Sequence, residues 1–346
     1  MQNPNTTFNA GKPLLTVCQL GRLGDIVATE PAYRFLREQH PTRKLRWYTR
    51  PQYVELFQFA PFIDEIVPVS SAEEYLKLKE ELPEGTISFE FNFRRPDAPK
   101  QKQAVFTSLL HQFTTTAGLE VPDETPRFYF APEVAMPQLP EKYVVFHCAS
   151  RGKNRQWPEK QWQRLAKFIL STGQSVVEIG MEPVLSIHTP GFLDMTGQIS
   201  LQTAARIISG ATGFVGVDSG FGHIANATGV FGIIVTGKLR NHPEYIPYSG
   251  RYAAGIGCNL VRLYDLPAAR VPFPLVREAA SRLLAGSPMS GAECDRFCLI
   301  HQIKSMRRNP GVRLAELLRK PFDRMKTEWE FFRRKQAGRA RKKRSR

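Results

Sequence analysis

Short, almost wholly apolar runs recur along the chain, each followed by a turn and then by an amphipathic stretch. Such runs lie at 14–20 (LLTVCQL), 45–49, 65–69, 87–91, 143–147 (YVVFH) and 175–179, and at Phe214, Val215 and Val217 with their flanking glycines. They have the length and composition of buried strands. Between them Ile26, Ala28, Tyr33, Phe35 and Leu36 form one helical pattern, and Trp162, Leu165, Ala166, Phe168 and Ile169 form another. Ile224, Ala225, Ala227 and Thr228 predict a small-residue helix after the 214–217 run. Strands alternating with helices predict an α/β fold built on parallel sheets. The segment 131–140 (APEVAMPQLP) has three prolines and no period, and reads as an interdomain linker. The expected organisation is a first domain over 1–135, a second over 141–286 and a remainder over 287–346. No internal sequence repeat is present.

Three turns in this pattern carry chemistry. In 216–229 (GVDSGFGHIANATG), Asp218, Ser219 and Gly220 join a strand to a helix, and His223 lies one turn further on. The opening amides of a helix have no intrahelical acceptors and can donate to an anion. Gly220 and Gly222 would let a diphosphate approach the backbone. By spacing alone the segment is equally a capped turn with a packed histidine. After the first strand, GRLGD places Asp25 at the mouth of a parallel sheet, as a site carboxylate or as an ordinary N-cap beside a helix dipole. After YVVFH, the loop CASRGKNR offers Ser150, Lys153 and Arg155, which could meet phosphates or form a solvated basic loop, and Trp157-Pro158 leads into the next helix.

In this order the three elements resemble glycosyltransferase family 9, the bacterial heptosyltransferases of lipopolysaccharide core assembly. The likeness spans about residues 14–284 and is strongest at GRLGDIVATEPAYRFLREQHP, SRGKNRQWPEKQWQRLAKFI and DMTGQISLQTAARIISGATGFVGVDSGFGHIANATG. It implies a GT-B fold, two facing Rossmann-like domains with a cleft between them. It implies inversion at the anomeric carbon with no bound metal and no cofactor, using a nucleotide-diphosphate sugar, by default ADP-heptose, and a lipid-linked glycan acceptor. Carried over by motif, Asp25 matches the proposed base, with Arg22 and Gly24 on the acceptor side. Asp218, Ser219, Gly220 and His223 match the donor motif, with Ser150 also on the donor side. Arg155 stands where many members have lysine, so either Arg155 or Lys153 takes the diphosphate. Glu182 falls near a donor-contacting acid. After Gly237, Lys238-Leu239-Arg240-Asn241-His242 departs from the family's usual segment.

Charge adds a feature outside this likeness. The chain has a formal net charge of +16, and residues 301–346 hold 17 Lys and Arg against 4 Asp and Glu. Leu314, Leu317, Leu318, Phe322, Met325, Trp329 and Phe332 recur there at helical steps, with Pro321 as a break. Such a basic amphipathic extension fits an anionic membrane surface, or packs on the body with a free end. Nucleic acid is disfavoured because the charge is confined to one tail and no reading motif accompanies it. The alternative to an enzyme is a non-catalytic binding protein of the same fold. Five scattered cysteines suit reduced thiols and a cytoplasmic location, possible at the inner membrane's face. Cys294, Cys298 and His301 offer only half of a metal site. No apolar run spans a bilayer, and the polar first 13 residues do not read as a signal peptide.

Overall fold

The computed structural model describes residues 14–307 apart from 83, 85, 92–107, 123, 238–245 and 265. The segment after Gly237 and the amphipathic pattern at 314–332 therefore lie outside the described residues.

The first sheet contains β1 (Leu14–Gln19), β2 (Lys44–Thr49), β3 (Glu65–Pro68) and β4 (Ile87–Phe91), in the order β3-β2-β1-β4. The second contains β5 (Tyr143–His147), β6 (Ser175–Glu178), β7 (Phe192–Asp194), β8 (Gly213–Val217), β9 (Gly232–Val235) and β10 (Cys258–Val261), in the order β10-β9-β8-β5-β6-β7. All these pairings are parallel. The strand order reverses between β1 and β4 and again between β5 and β8. Ligands of open parallel sheets bind outside the carboxyl ends of strands at such reversals. The turns carrying Asp25, Arg155 and Asp218 follow β1, β5 and β8, so each stands at one of these openings.

Helices cover the sheets: α1 (Leu23–Ala28), α2 (Glu30–Gln39), α3 (Ala72–Glu80) and α4 (Leu109–Thr116) in the first half. The second half has α5 (Glu159–Leu170), α6 (Leu201–Ser209), α7 (Gly220–Thr228), α8 (Gly250–Ala253), α9 (Phe273–Leu284) and α10 (Gly291–Arg307). On α5, Trp162, Leu165, Ala166 and Ile169 are buried at steps of three and four, with Trp162 edge-on to Trp157 and Phe146. The helical pattern expected from Ile26 to Leu36 is two helices meeting at Thr29. Pro31 cannot donate to the carbonyl four residues earlier, and its ring would clash with a continuous turn. Thr29 takes up the break, its hydroxyl donating to the Asp25 and Ile26 carbonyls at 3.0 Å.

The second core continues past 286, because Met289, Cys294 and Cys298 are buried with Val261, Leu275 and Leu283. Gln302 of α10 brackets Tyr264, accepting from its amide at 2.8 Å and donating to its carbonyl at 3.0 Å. The two halves also share a core: Leu15, Ile26, Tyr33 and Leu110 belong to one apolar cluster with Ile207, Ile224 and Tyr248.

Polar bonds join the halves as well. The Glu55 carboxylate accepts from the Leu201 and Gln202 amides at 3.1 and 3.3 Å, capping α6 from the other domain. Gln202 donates to the Glu55 and Tyr129 carbonyls and accepts from the Ala131 amide. Buried Glu30 accepts from Arg34, the Arg127 amide and Tyr129 at 2.6 to 2.9 Å, which ties α2 to the chain just before the 131–140 linker. Glu55→Ala should cost about 1 kcal/mol, the usual loss for a helix cap. A lowered thermal midpoint with unchanged far-ultraviolet circular dichroism is expected; an unchanged midpoint would show that this contact adds nothing.

Candidate functional site

The site forms where the first turns of α1 and α7 meet. Asp25 is the third residue of α1, not its N-cap as a reading from spacing allows; its Oδ2 accepts from the Arg22 amide at 2.8 Å. Ser219 is the N-cap of α7, yet its side chain caps nothing. Two glycines permit the contact. A Cβ on Gly220 would lie 2.6 Å from Leu23, and a Cβ on Gly24 would lie 2.9 Å from the His223 ring and 3.5 Å from the Gly220 Cα. The expected cleft is therefore closed at this point. Gly24, expected on the acceptor side, faces the second domain's histidine, whereas Arg22 is exposed on the rim.

Arg155 closes a 3-10 turn (Lys153–Arg155) after β5, and its Nη1 donates to the Asp218 carbonyl at 3.2 Å and to Asp218 Oδ2 at 3.4 Å. Lys153, at the start of the same turn, is exposed. Ser150 stays within its own loop, accepting from the Gly152 amide at 3.3 Å. Glu182 is exposed in the loop after β6. That loop is held by Glu178, whose carboxylate oxygens accept from the Val184 and Leu185 amides at 3.0 Å each. Asp25, Arg155, Asp218, Ser219, Gly220 and His223 thus converge, while Lys153 and Glu182 point outward around them.

Burial dominates the electrostatics. It raises Asp25 above the ordinary aspartate range, against the Arg22 amide and the charges of Arg22 and Arg155. It also raises Asp218, with Arg155 opposing and the negative charge of Asp25 adding to the rise. His223 is lowered to about 3, first by burial and then by Arg155, so its ring is neutral at working pH. It lies against Tyr248, with ring centroids 4.6 Å apart and planes tilted by 40°. The Ser219 and Tyr248 hydroxyls are buried without a hydrogen-bond partner among the described residues. An unpaired hydroxyl at a helix N-terminus is a place where a ligand oxygen would satisfy both groups.

The sequence profile described as glycosyltransferase family 9 (heptosyltransferase) matches residues 86–238, which include the Arg155 loop and the Asp218 turn but not Asp25. Lipopolysaccharide heptosyltransferase 1 of Salmonella typhimurium is 25% identical over 145 residues, 40% of this chain. Both comparisons thus point to glycosyltransferase family 9 over the middle of the chain. The match spans 45% of that relative's length. Solved structures extend the likeness of fold to about four fifths of the chain. A family 9 glycosyltransferase from Veillonella parvula has a TM-score of 0.62 at 15% identity, covering 80% of this chain and 98% of that one. Escherichia coli heptosyltransferase WaaC with ADP has a TM-score of 0.59 at 17% identity, covering 78% and 99%. The chain accordingly has the GT-B fold of these solved glycosyltransferases.

Tyr248 and Glu178 are absent from the site expected from sequence. Glu178 at the end of a strand carried a usable signal, since a carboxylate there must find donors in the following loop. Tyr248 carried none, because only the tertiary fold brings it behind α7. Ser219→Ala should leave the thermal midpoint nearly unchanged, because the hydroxyl has no protein partner to lose, yet weaken ADP binding by about 1 kcal/mol. Calorimetric titration with ADP checks this, and unchanged affinity would remove Ser219 from the site.

Proposed function

We propose that this protein transfers a sugar, by default a heptose from ADP-heptose, to a hydroxyl of a lipopolysaccharide-core or related glycan, with inversion and without a metal. The observation that carries this reading is the meeting of the Asp25 turn with the Asp218 turn, each at the reversal of its own sheet. Solved structures of heptosyltransferase WaaC with ADP and with ADP-2-deoxy-2-fluoro heptose support the donor.

In this reading the acceptor hydroxyl attacks the anomeric carbon, its proton passes to Asp25, and the bond from that carbon to the diphosphate breaks. A carboxylate raised by burial is a better proton acceptor than an ordinary surface aspartate, provided that it is ionised. The leaving diphosphate gathers negative charge, which the first amides of α7 and the Arg155 guanidinium are placed to receive. Arg155 takes this role ahead of Lys153. Its fork keeps one nitrogen on Asp218 and leaves others free, whereas Lys153 is exposed and outside the cluster. The net +13 over residues 301–346 favours an anionic membrane as the place where the lipid-linked acceptor is met.

Asp25→Asn is expected to abolish transfer while leaving ADP affinity within about twofold, and retained turnover would eliminate Asp25 as the base. Because folding raises the Asp25 pKa, its contribution to stability is present in full below the unfolded value and is lost as pH rises through the folded value. Asp25→Asn should therefore melt higher than wild type at neutral pH, with the gain disappearing in acid. The acid limb of kcat/KM should have its midpoint above the ordinary aspartate value of about 3.9. Arg155→Ala should weaken ADP binding about tenfold or more, and Lys153→Ala much less. Equal losses would return the diphosphate to both.

Deleting residues 319–346 should reduce sedimentation with anionic vesicles, and binding of the intact protein should weaken with salt. Equal vesicle binding by the two forms would remove the membrane role.

A further inference from the structure

We propose that His223 is a positioning residue for the base-bearing turn, acting across the domain seam through Gly24. This inference rests on Asp25 being the base. It concerns what holds that base in place.

The His223 ring lies between two surfaces. On one side is the buried Tyr248 ring, at a centroid distance of 4.6 Å. On the other is the α1 backbone at Gly24, where an added Cβ would meet His223 Cδ2 at 2.9 Å and Nε2 at 3.3 Å. Gly24 immediately precedes Asp25, so a displacement of its backbone displaces the carboxylate. Tyr248 is backed in turn by Tyr252, edge-on at 5.3 Å, and the Tyr252 hydroxyl donates to the Val230 carbonyl at 2.7 Å. The ring therefore rests against two buried tyrosines of the second domain and presents its Cδ2–Nε2 edge to the first. Leu23 over Gly220 makes the neighbouring contact, so α1 is located against α7 at two successive residues. His223 as a whole is 3% exposed, which leaves little of it for a donor to touch.

A packing role and a donor-ligand role make opposite demands on the imidazole. Packing needs a flat ring of this size and no nitrogen, whereas donor contact needs the nitrogen. His223→Phe, His223→Ala, Gly24→Ala and the double variant Gly24→Ala/His223→Ala separate them. We expect both His223 variants to keep the ADP dissociation constant within about twofold of wild type. His223→Ala should lower kcat about 10- to 100-fold, the effect of misplacing a reacting group by about 1 Å, and His223→Phe should restore much of it.

Gly24→Ala should be as damaging alone, because the new methyl strikes the ring. In the His223→Ala background it should cost little, since the space is then open. That non-additivity should appear in the thermal midpoint as well as in kcat. An ADP dissociation constant raised about tenfold by both His223→Phe and His223→Ala would overturn the proposal and make His223 a donor ligand. Additive effects of Gly24→Ala and His223→Ala on the midpoint would overturn it too. Neither measurement needs turnover, so absence of transfer by the wild-type protein would count against the transfer reading alone.

Discussion

The contact between the first turns of α1 and α7 is the constraint on which the rest of the site depends. Two helices can meet end to end at this distance only if the facing positions lack side chains, and Gly24 and Gly220 meet that condition. Their carriers are otherwise unrelated, one following the central strand of the first sheet and the other following β8 of the second. A larger residue at either position would separate the two halves, and with them Asp25 from Arg155 and Asp218. The placement of every charged group in the cluster is thus inherited from two absent side chains.

Meeting N-terminus to N-terminus brings two positive helix ends together, an arrangement that would be unfavourable without compensation. Asp25 and Asp218 supply it, one in each helix's opening turn or just before it. The buried Asp218 and half-buried Asp25 carboxylates would then repel one another, and Arg155 stands with Asp218 to moderate that. The balance leaves both acids above their ordinary values and keeps His223 neutral. Strong electrostatics and a solvent-poor seam are therefore two aspects of one geometry.

Much of this was legible along the chain. A buried parallel strand is a nearly unbroken apolar run, so β1, β4, β5, β6 and β8 stood out, and the residues after β1, β5 and β8 stood out as turns. β7 has three residues and β10 four, too short for a pattern to register. Pro31 marked the break between α1 and α2, but the surrounding periodicity runs straight through it. The α10 segment has no strong apolar stripe, and its place in the second core depends on Cys294, Cys298 and Gln302 finding partners on β10 and the loop after it. Least legible was the seam itself. Gly24 and His223 are far apart in sequence, and nothing local marks a glycine kept bare for a distant ring.

The apolar cluster that runs from Leu15 and Tyr33 through Ile207 and Tyr248 has a thermodynamic consequence. Separate domains joined by a small polar interface can lose their structure one at a time. Here neither half can unfold without exposing part of the other's interior, and the segment from Glu124 to Ala131 is bonded to both. The two Rossmann-like units are distinct as topology, yet in denaturation they form one cooperative body, with no stable half left for a protease to release.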